Sequence, residues 1–301
     1  MSIQPPEVAP FYTSETLETG IVGPYQGTDR RIVDYQQVML AGHAFRGPLP
    51  AAMYKRRKLT FLGAAQTFGR FTRVPFPDIM GSLFNLDVLN LGYAGAGASF
   101  YLSKPTLLQY ASNSALTVVQ VMSGRSAENS MFASPDGRNT LIRRSDGKPM
   151  TDAPAYRWVL EEKGPEVALE LVRESQKRWV EETIELASKI ETRKILFWFS
   201  VRPVEFTPTA ESLKGLMGDF PHFVSREMIE EVTPHFDAFV ECTSSRGLPY
   251  KLRDRFDNSL VDVNFAGSQR NFNTYYPSPE MHLDAAITLE EPMRKILTAK
   301  R

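Results

Sequence analysis

The apolar residues of this chain fall into short runs separated by helix-like segments. Five runs read as strands: Leu59–Leu62, Val88–Leu91, Ala115–Met122, Lys194–Phe199 and the alternating Phe236–Val240. Short continuous apolar runs bounded by turn residues suit strands buried on both faces. Helices are expected around Pro77–Phe84 and Tyr101–Tyr110, and from Arg226 onward, where Ser225 stands as a cap. The clearest helix spans Pro165–Ile190, where Val167, Leu171, Val172, Trp179, Val180, Ile184 and Ala187 share a face. A last helix is expected from about His282 to Leu297, interrupted at Pro292. Strands alternating with helices imply an α/β fold, a three-layer α/β/α sandwich with a mostly parallel sheet. Ligands of such sheets bind beyond the carboxyl ends of the strands. Gly63–Gly69, Gly92–Gly97 and Ser123–Asn129 each follow a strand, so they share one rim.

Residues 1–54 are rich in Pro, Gly and aromatics and read as an N-terminal arm packed on the domain, with short elements around Ile32–Met39. Residues 55–301 form the α/β domain. Lys55-Arg56-Arg57-Lys58 reads as a solvated strand entry. Residues 123–156 are polar and turn-rich, and such a length suits a binding loop or lid.

Composition removes several function classes. Lys+Arg and Asp+Glu both number 35, so no bulk attraction for nucleic acid or an anionic membrane is expected. The one cysteine, Cys242, reads as a buried inert thiol in a reducing compartment. The first twelve residues lack the basic start and apolar core of a signal peptide, and no apolar run is long enough to span a bilayer. A cytoplasmic location is therefore expected. His43, His222 and His235 lack acidic or thiol partners at metal-like spacing, so no metal is expected. Gly92, Gly95 and Gly97 miss the dinucleotide fingerprint because Phe100 fills its third glycine position, and no Walker-type lysine follows Gly63–Gly69. No cofactor is expected. The partner class left is a small molecule.

The strand–glycine–helix turn Gly63-Ala64-Ala65-Gln66-Thr67-Phe68-Gly69 is the sharpest local feature. Backbone N–H groups at such a turn hold an anion or an oxyanion. Gln66 and Thr67 are candidate donors there, with Thr67 equally readable as a helix cap. Arg125 follows the third strand and suits a phosphate, sulfate or carboxylate, or simply the surface. Ser123, Ser126 and Ser130 are candidate nucleophiles or polar ligands, or solvated loop serines.

These blocks resemble the SGNH (GDSL-type) hydrolase superfamily. Its Gly-Asp-Ser-x-Thr block aligns with Gly63-Ala64-Ala65-Gln66-Thr67, its Asn-x-Gly turn with Asn90-Leu91-Gly92, and its Gly-x-Asn block with Gly124-Arg125-Ser126, Asn129 lying three residues on. Its C-terminal Asp-x-x-His block aligns with Pro279-Glu280-Met281-His282. More narrowly, Phe45-Arg46-Gly47-Pro48, Gly69-Arg70-Phe71, Pro75-Phe76-Pro77, Gln120-Val121-Met122-Ser123 and Tyr276–His282 resemble an uncharacterised bacterial family within that group. The resemblance covers about residues 30–297. It implies an SGNH-like fold with His282 as the catalytic base. Ala65, Gln66, Thr67, Gly92, Arg125, Ser126 and Asn129 are implied as ligand or oxyanion contacts. Ala65 replaces the family's serine nucleophile, and Pro279 replaces its aspartate.

Three readings follow. One is an enzyme acting on an ester-linked or transferable acyl-type group, on a saccharide for example, by direct His-assisted hydrolysis or transfer. A second is a non-catalytic ligand-binding protein that keeps the cleft. A third is a sulfo- or acyltransferase, or a hydrolase, with a relocated serine such as Ser126 or Ser130. The sequence is silent on oligomeric state.

Overall fold

The computed structural model describes residues 28–299 except Arg56, Ala266 and Gly267, so the first half of the expected N-terminal arm, residues 1–27, lies outside the described residues. Five strands form one parallel sheet: β1 (Lys58–Gly63), β2 (Asp87–Gly92), β3 (Leu116–Gln120), β4 (Lys194–Ser200) and β5 (Ala238–Thr243). Their order is β5-β4-β3-β1-β2, with every neighbouring pair parallel. The chain leaves β1 toward β2 on one side and later returns to β3 on the other. The crevice between the carboxyl ends of β1 and β3 is thus the topological switch point, the usual ligand position in open sheets.

Side-chain alternation sends Leu59 and Phe61 of β1 to one face and Leu62 to the other. On the first face, α1 (Phe76–Phe84) and α5 (Pro279–Thr298) pack through Phe76, Met80, Met281, Ala285 and Leu289. On the second, α2 (Pro105–Ser112), α3 (Pro165–Lys189) and α4 (Arg226–Val232) pack through Leu107, Trp179, Leu186 and Met228. This is the three-layer α/β/α sandwich expected from the sequence. Among the described residues no helix is long and apolar enough to cross a membrane.

Several local expectations change. The helix expected at Tyr101–Tyr110 is two helices, Ala98–Leu102 and Pro105–Ser112. Pro105 disfavours a helical residue before it, and Lys104 adopts φ −129° and ψ 78°. The last helix starts at Pro279 and runs through Pro292 without a break, because Leu289 and Met293 on either side are both buried in the core. The fifth strand begins at Ala238, since a 3-10 turn occupies Thr233–His235. Lys58 is not solvated. Its side chain is buried and its ammonium caps the Asn113 carbonyl, with burial pushing its pKa down to about 8. The stretch 123–156 is no bare loop either. It holds a small antiparallel sheet (Phe132–Ala133, Thr140–Arg143, Pro149–Thr151) and then a helix from Asp152 to Glu162.

Candidate functional site

The corner after β1 is held rigidly by its own side chains. The Ala64 N–H donates to Gln120 Oε1 at 3.0 Å, and Thr67 Oγ1 donates to the same oxygen at 2.6 Å. Thr67 therefore ties the turn to β3; the N-cap position belongs to Ala64. Asn90 Nδ2 donates to the Thr67 carbonyl at 2.8 Å, while Asn90 Oδ1 accepts from the Gly92 N–H at 2.9 Å. Gly92 is required by close approach, because a Cβ there would lie 2.2 Å from the Phe68 nitrogen. The Gly63 N–H donates to the buried Tyr101 hydroxyl at 3.0 Å. Much of the donor capacity of this corner is thus spent on the fold. Gln66 Oε1, by contrast, is buried with no partner.

Ala65 packs in an apolar cluster with Phe71, Leu252, Val261, Val263 and Tyr276. The segment around 250–276 supplies most of this wall. A side chain at position 65 therefore meets packed hydrocarbon rather than a cleft.

His282 lies on the sheet-facing side of α5 and is 0 % exposed. Its ring stacks on Phe76 at 5.9 Å and tilts against Phe199 at 5.4 Å. The Phe76 backbone N–H donates to Nδ1 at 3.1 Å. An amide can only donate, so Nδ1 accepts and the ring proton sits on Nε2. Nε2 is itself buried without a partner. Burial, and then the Arg46 charge, push the His282 pKa down to about 3. A general base needs its lone pair on the nitrogen facing the reacting proton. The base role expected for His282 meets the opposite tautomer in a sealed pocket. Glu280, two residues before it, does not orient the ring: its carboxylate lies beside Gly247, and its main-chain carbonyl accepts from Arg246.

A second polar group lies on the rim, where the loop after β3 meets the β4–β5 connection and the segment preceding α5. His222 is 6 % exposed. Its Nδ1 lies 2.9 Å from the Gly218 carbonyl and its Nε2 lies 3.3 Å from the Tyr275 hydroxyl. A carbonyl can only accept, so Nδ1 carries the proton and Nε2 presents a lone pair. Burial, then the neighbouring Arg125 charge, hold the His222 pKa well below its ordinary value. The Tyr275 ring stacks on His222 with an interplanar angle of 15° and remains 39 % exposed. Asn273 Oδ1 fixes that turn by accepting from the N–H groups of Tyr275 and Tyr276 at 3.1 and 3.0 Å.

The Arg125 guanidinium carries its charge beside Tyr275 and pairs with Asp152, Nε to Oδ2, at 2.7 Å. That contact is close but poorly aligned, for neither atom meets hydrogen-bond geometry. The expected anion-binding Arg125 is thus already committed to a carboxylate, whose own pKa burial raises in spite of the arginine. The Gly124 N–H donates to the His222 carbonyl at 2.8 Å, locking the two loops together. Ser126 Oγ lies 3.5 Å from the Gly95 carbonyl, joining this loop to the one after β2. Ser123 Oγ is buried with no partner.

Two other expected residues lie apart from this group. Asn129 Nδ2 donates to Tyr156 and Ser175 at 3.0 and 3.1 Å, and its Oδ1 accepts from the Met131 and Phe132 N–H groups. Its bonding capacity is spent inside the small-sheet subdomain. Ser130 pairs with Glu174 on the surface. Sequence reading missed His222 and Tyr275. They stand 53 residues apart, and only the fold brings them together. Among the described residues no three His, Cys, Asp or Glu side chains are grouped to hold a metal.

Comparison with known proteins places the chain. The model of a family described as Domain of unknown function (DUF6473) matches residues 24–145 and 159–297, and the chain belongs to that family. No curated protein matches in sequence. Among solved structures, the chain is similar to a family two carbohydrate esterase from Clostridium thermocellum in complex with cellohexaose. Identity there is 12 %, 85 % of this chain and 67 % of that one are covered, and the TM-score is 0.42. It is also similar to an extracellular lipase from Streptomyces rimosus, at 10 % identity, 77 % and 97 % coverage and a TM-score of 0.40.

Proposed function

We propose that this DUF6473 protein acts on an ester-linked, acyl-type group at the β1/β3 rim, by direct attack of water or an acceptor hydroxyl and without an acyl-enzyme. One observation carries the reading. Among the described residues, Gln66 Oε1 and Ser123 Oγ are buried polar atoms without hydrogen-bond partners, on the loops that follow β1 and β3. Each such atom costs about 1–3 kcal/mol when left unsatisfied. Two on one rim fit a ligand that completes them. Ala65 in its apolar cluster and the donor tautomer of His282 argue against a serine route at position 65. Direct attack keeps transfer to an acceptor hydroxyl on equal terms with hydrolysis, and a saccharide is the first carrier to test.

The test is turnover of p-nitrophenyl acetate and acetylated oligosaccharides by the full chain, with fluorophosphonate labelling alongside. Turnover without a serine adduct supports direct attack. A covalent adduct mapped to Ser123 or Ser126 overturns it in favour of a relocated nucleophile. An inert protein whose melting temperature is raised by the same oligosaccharides is a binding protein instead.

A further inference from the structure

We propose that His222 is the proton acceptor of this rim and that the Tyr275 hydroxyl relays the proton to it. This rests on the reading of the rim as a site of direct attack. The argument begins with geometry. Gly218 fixes His222 in the Nδ1–H form, so the free lone pair of Nε2 points at the Tyr275 hydroxyl at 3.3 Å. The hydroxyl donates to that lone pair. A phenol oxygen can accept a hydrogen bond while its own proton is donated. Tyr275 is the exposed member of the set, while His222 is sealed behind it. Asn273 holds the backbone of Tyr275, and the Gly124–His222 bond holds the other wall. A group that touches solvent, backed by a buried acceptor of fixed tautomer, is the arrangement a relay requires.

The step balances without a further reagent beyond the ester. A water or acceptor hydroxyl on Tyr275 gives its proton to the phenol oxygen as the phenol proton moves to His222 Nε2. The freed oxygen pair forms a bond to the acyl carbon, and the carbonyl π pair moves onto its oxygen. Collapse of that intermediate breaks the bond to the leaving oxygen. The imidazolium returns its proton through Tyr275 to that oxygen, and both side chains regain their starting forms. His222 is neutral at neutral pH, so the acceptor is always available. Its weak basicity makes the return transfer easy and the forward transfer slow.

Tyr275→Phe and His222→Asn test the relay on p-nitrophenyl acetate. Asparagine keeps an N–H for the Gly218 carbonyl and removes the acceptor. Each variant is expected to lower kcat by about 100-fold with KM nearly unchanged. Nitrogen-15 imidazole spectra of the unliganded chain supply a second readout. His222 should carry its proton on Nδ1 and His282 on Nε2, and Tyr275→Phe should shift only the Nε2 signal of His222. An active wild type whose kcat survives either substitution overturns the relay and leaves direct attack standing. Proton occupancy on Nε2 of His222 overturns the relay as well. A wild type that turns over no ester removes both.

Discussion

Two buried histidines divide this molecule. His282 lies under the sheet against Phe76 and Phe199, and His222 lies at the rim against Tyr275. Both are buried, and burial depresses the pKa of both. They differ in the backbone group that meets Nδ1: an amide N–H for His282 and a carbonyl for His222. That single difference turns one ring outward as a donor and the other as an acceptor. Burial and a shifted pKa therefore do not identify a base; the partner of the second nitrogen does.

The comparison breaks most visibly in stability. His282→Ala removes a fully buried ring and leaves the Phe76 N–H without an acceptor. Cavity and lost hydrogen bond together should cost about 4 kcal/mol in urea unfolding. His222→Ala should cost about half of that, since Tyr275 can turn to water. Equal losses would mean that both rings are core elements and that the rim has no separate status. Asn129 sorts with His282, because its bonds close inside the protein. Asn129→Ala should cost about 2–3 kcal/mol and leave ester turnover per folded molecule unchanged. Loss of turnover at full folding would return Asn129 to the site.

Acid sharpens the same contrast. Native His282 titrates at about 3, against an ordinary value of 6.5. Between those limits the unfolded chain binds a proton that the native chain refuses. The stabilising contribution is therefore full above 6.5 and falls as pH drops toward 3. Asp29, raised to about 6 by burial, works the other way below that pH, because its native carboxyl keeps the proton. The useful readout is a difference. His282→Gln retains an acceptor for Phe76 but does not titrate. Between pH 7 and pH 5 the wild type should lose about 2 kcal/mol more stability than the variant. Parallel pH curves would show that His282 is not held neutral.

The sequence made the strands legible because the inner ones are buried on both faces and form short apolar runs, while the edge strand β5 alternates buried and open positions. It also placed the rim loops, since each simply follows a strand. Strand order was not legible, for pairing of β1 with β3 is a long-range choice. Lys58 was misread because its chemistry suggests solvent, whereas its register puts it beneath the Asn113 carbonyl. The small sheet at 132–151 was missed because its strands are two to four residues long and partly exposed. At the site, the blocks pointed to the loops after the strands and to His282, whose Nδ1 the fold places against the Phe76 N–H. A residue type at a family position does not specify which backbone atom will meet its ring. His222 and Tyr275 carried no local mark at all.

The smallest expected effect is at position 65. Ala65→Ser places a serine where the resembled SGNH block carries one, and a hydroxyl adds little volume. Yet its neighbours there are Phe71, Leu252, Val261, Val263 and Tyr276, and the buried imidazole offers only a proton-bearing Nε2. The new hydroxyl gains no base and loses hydration, so about 1 kcal/mol of stability should go, within the cost of a buried unsatisfied hydroxyl. Fluorophosphonate should not label the variant, and its ester turnover should match that of the wild type. Rapid labelling of the introduced hydroxyl would require His282 to turn its ring and give up the Phe76 bond. That outcome would erase the distinction between the two histidines, because the tautomer at His282 would then be a choice of conformation rather than a property of the fold.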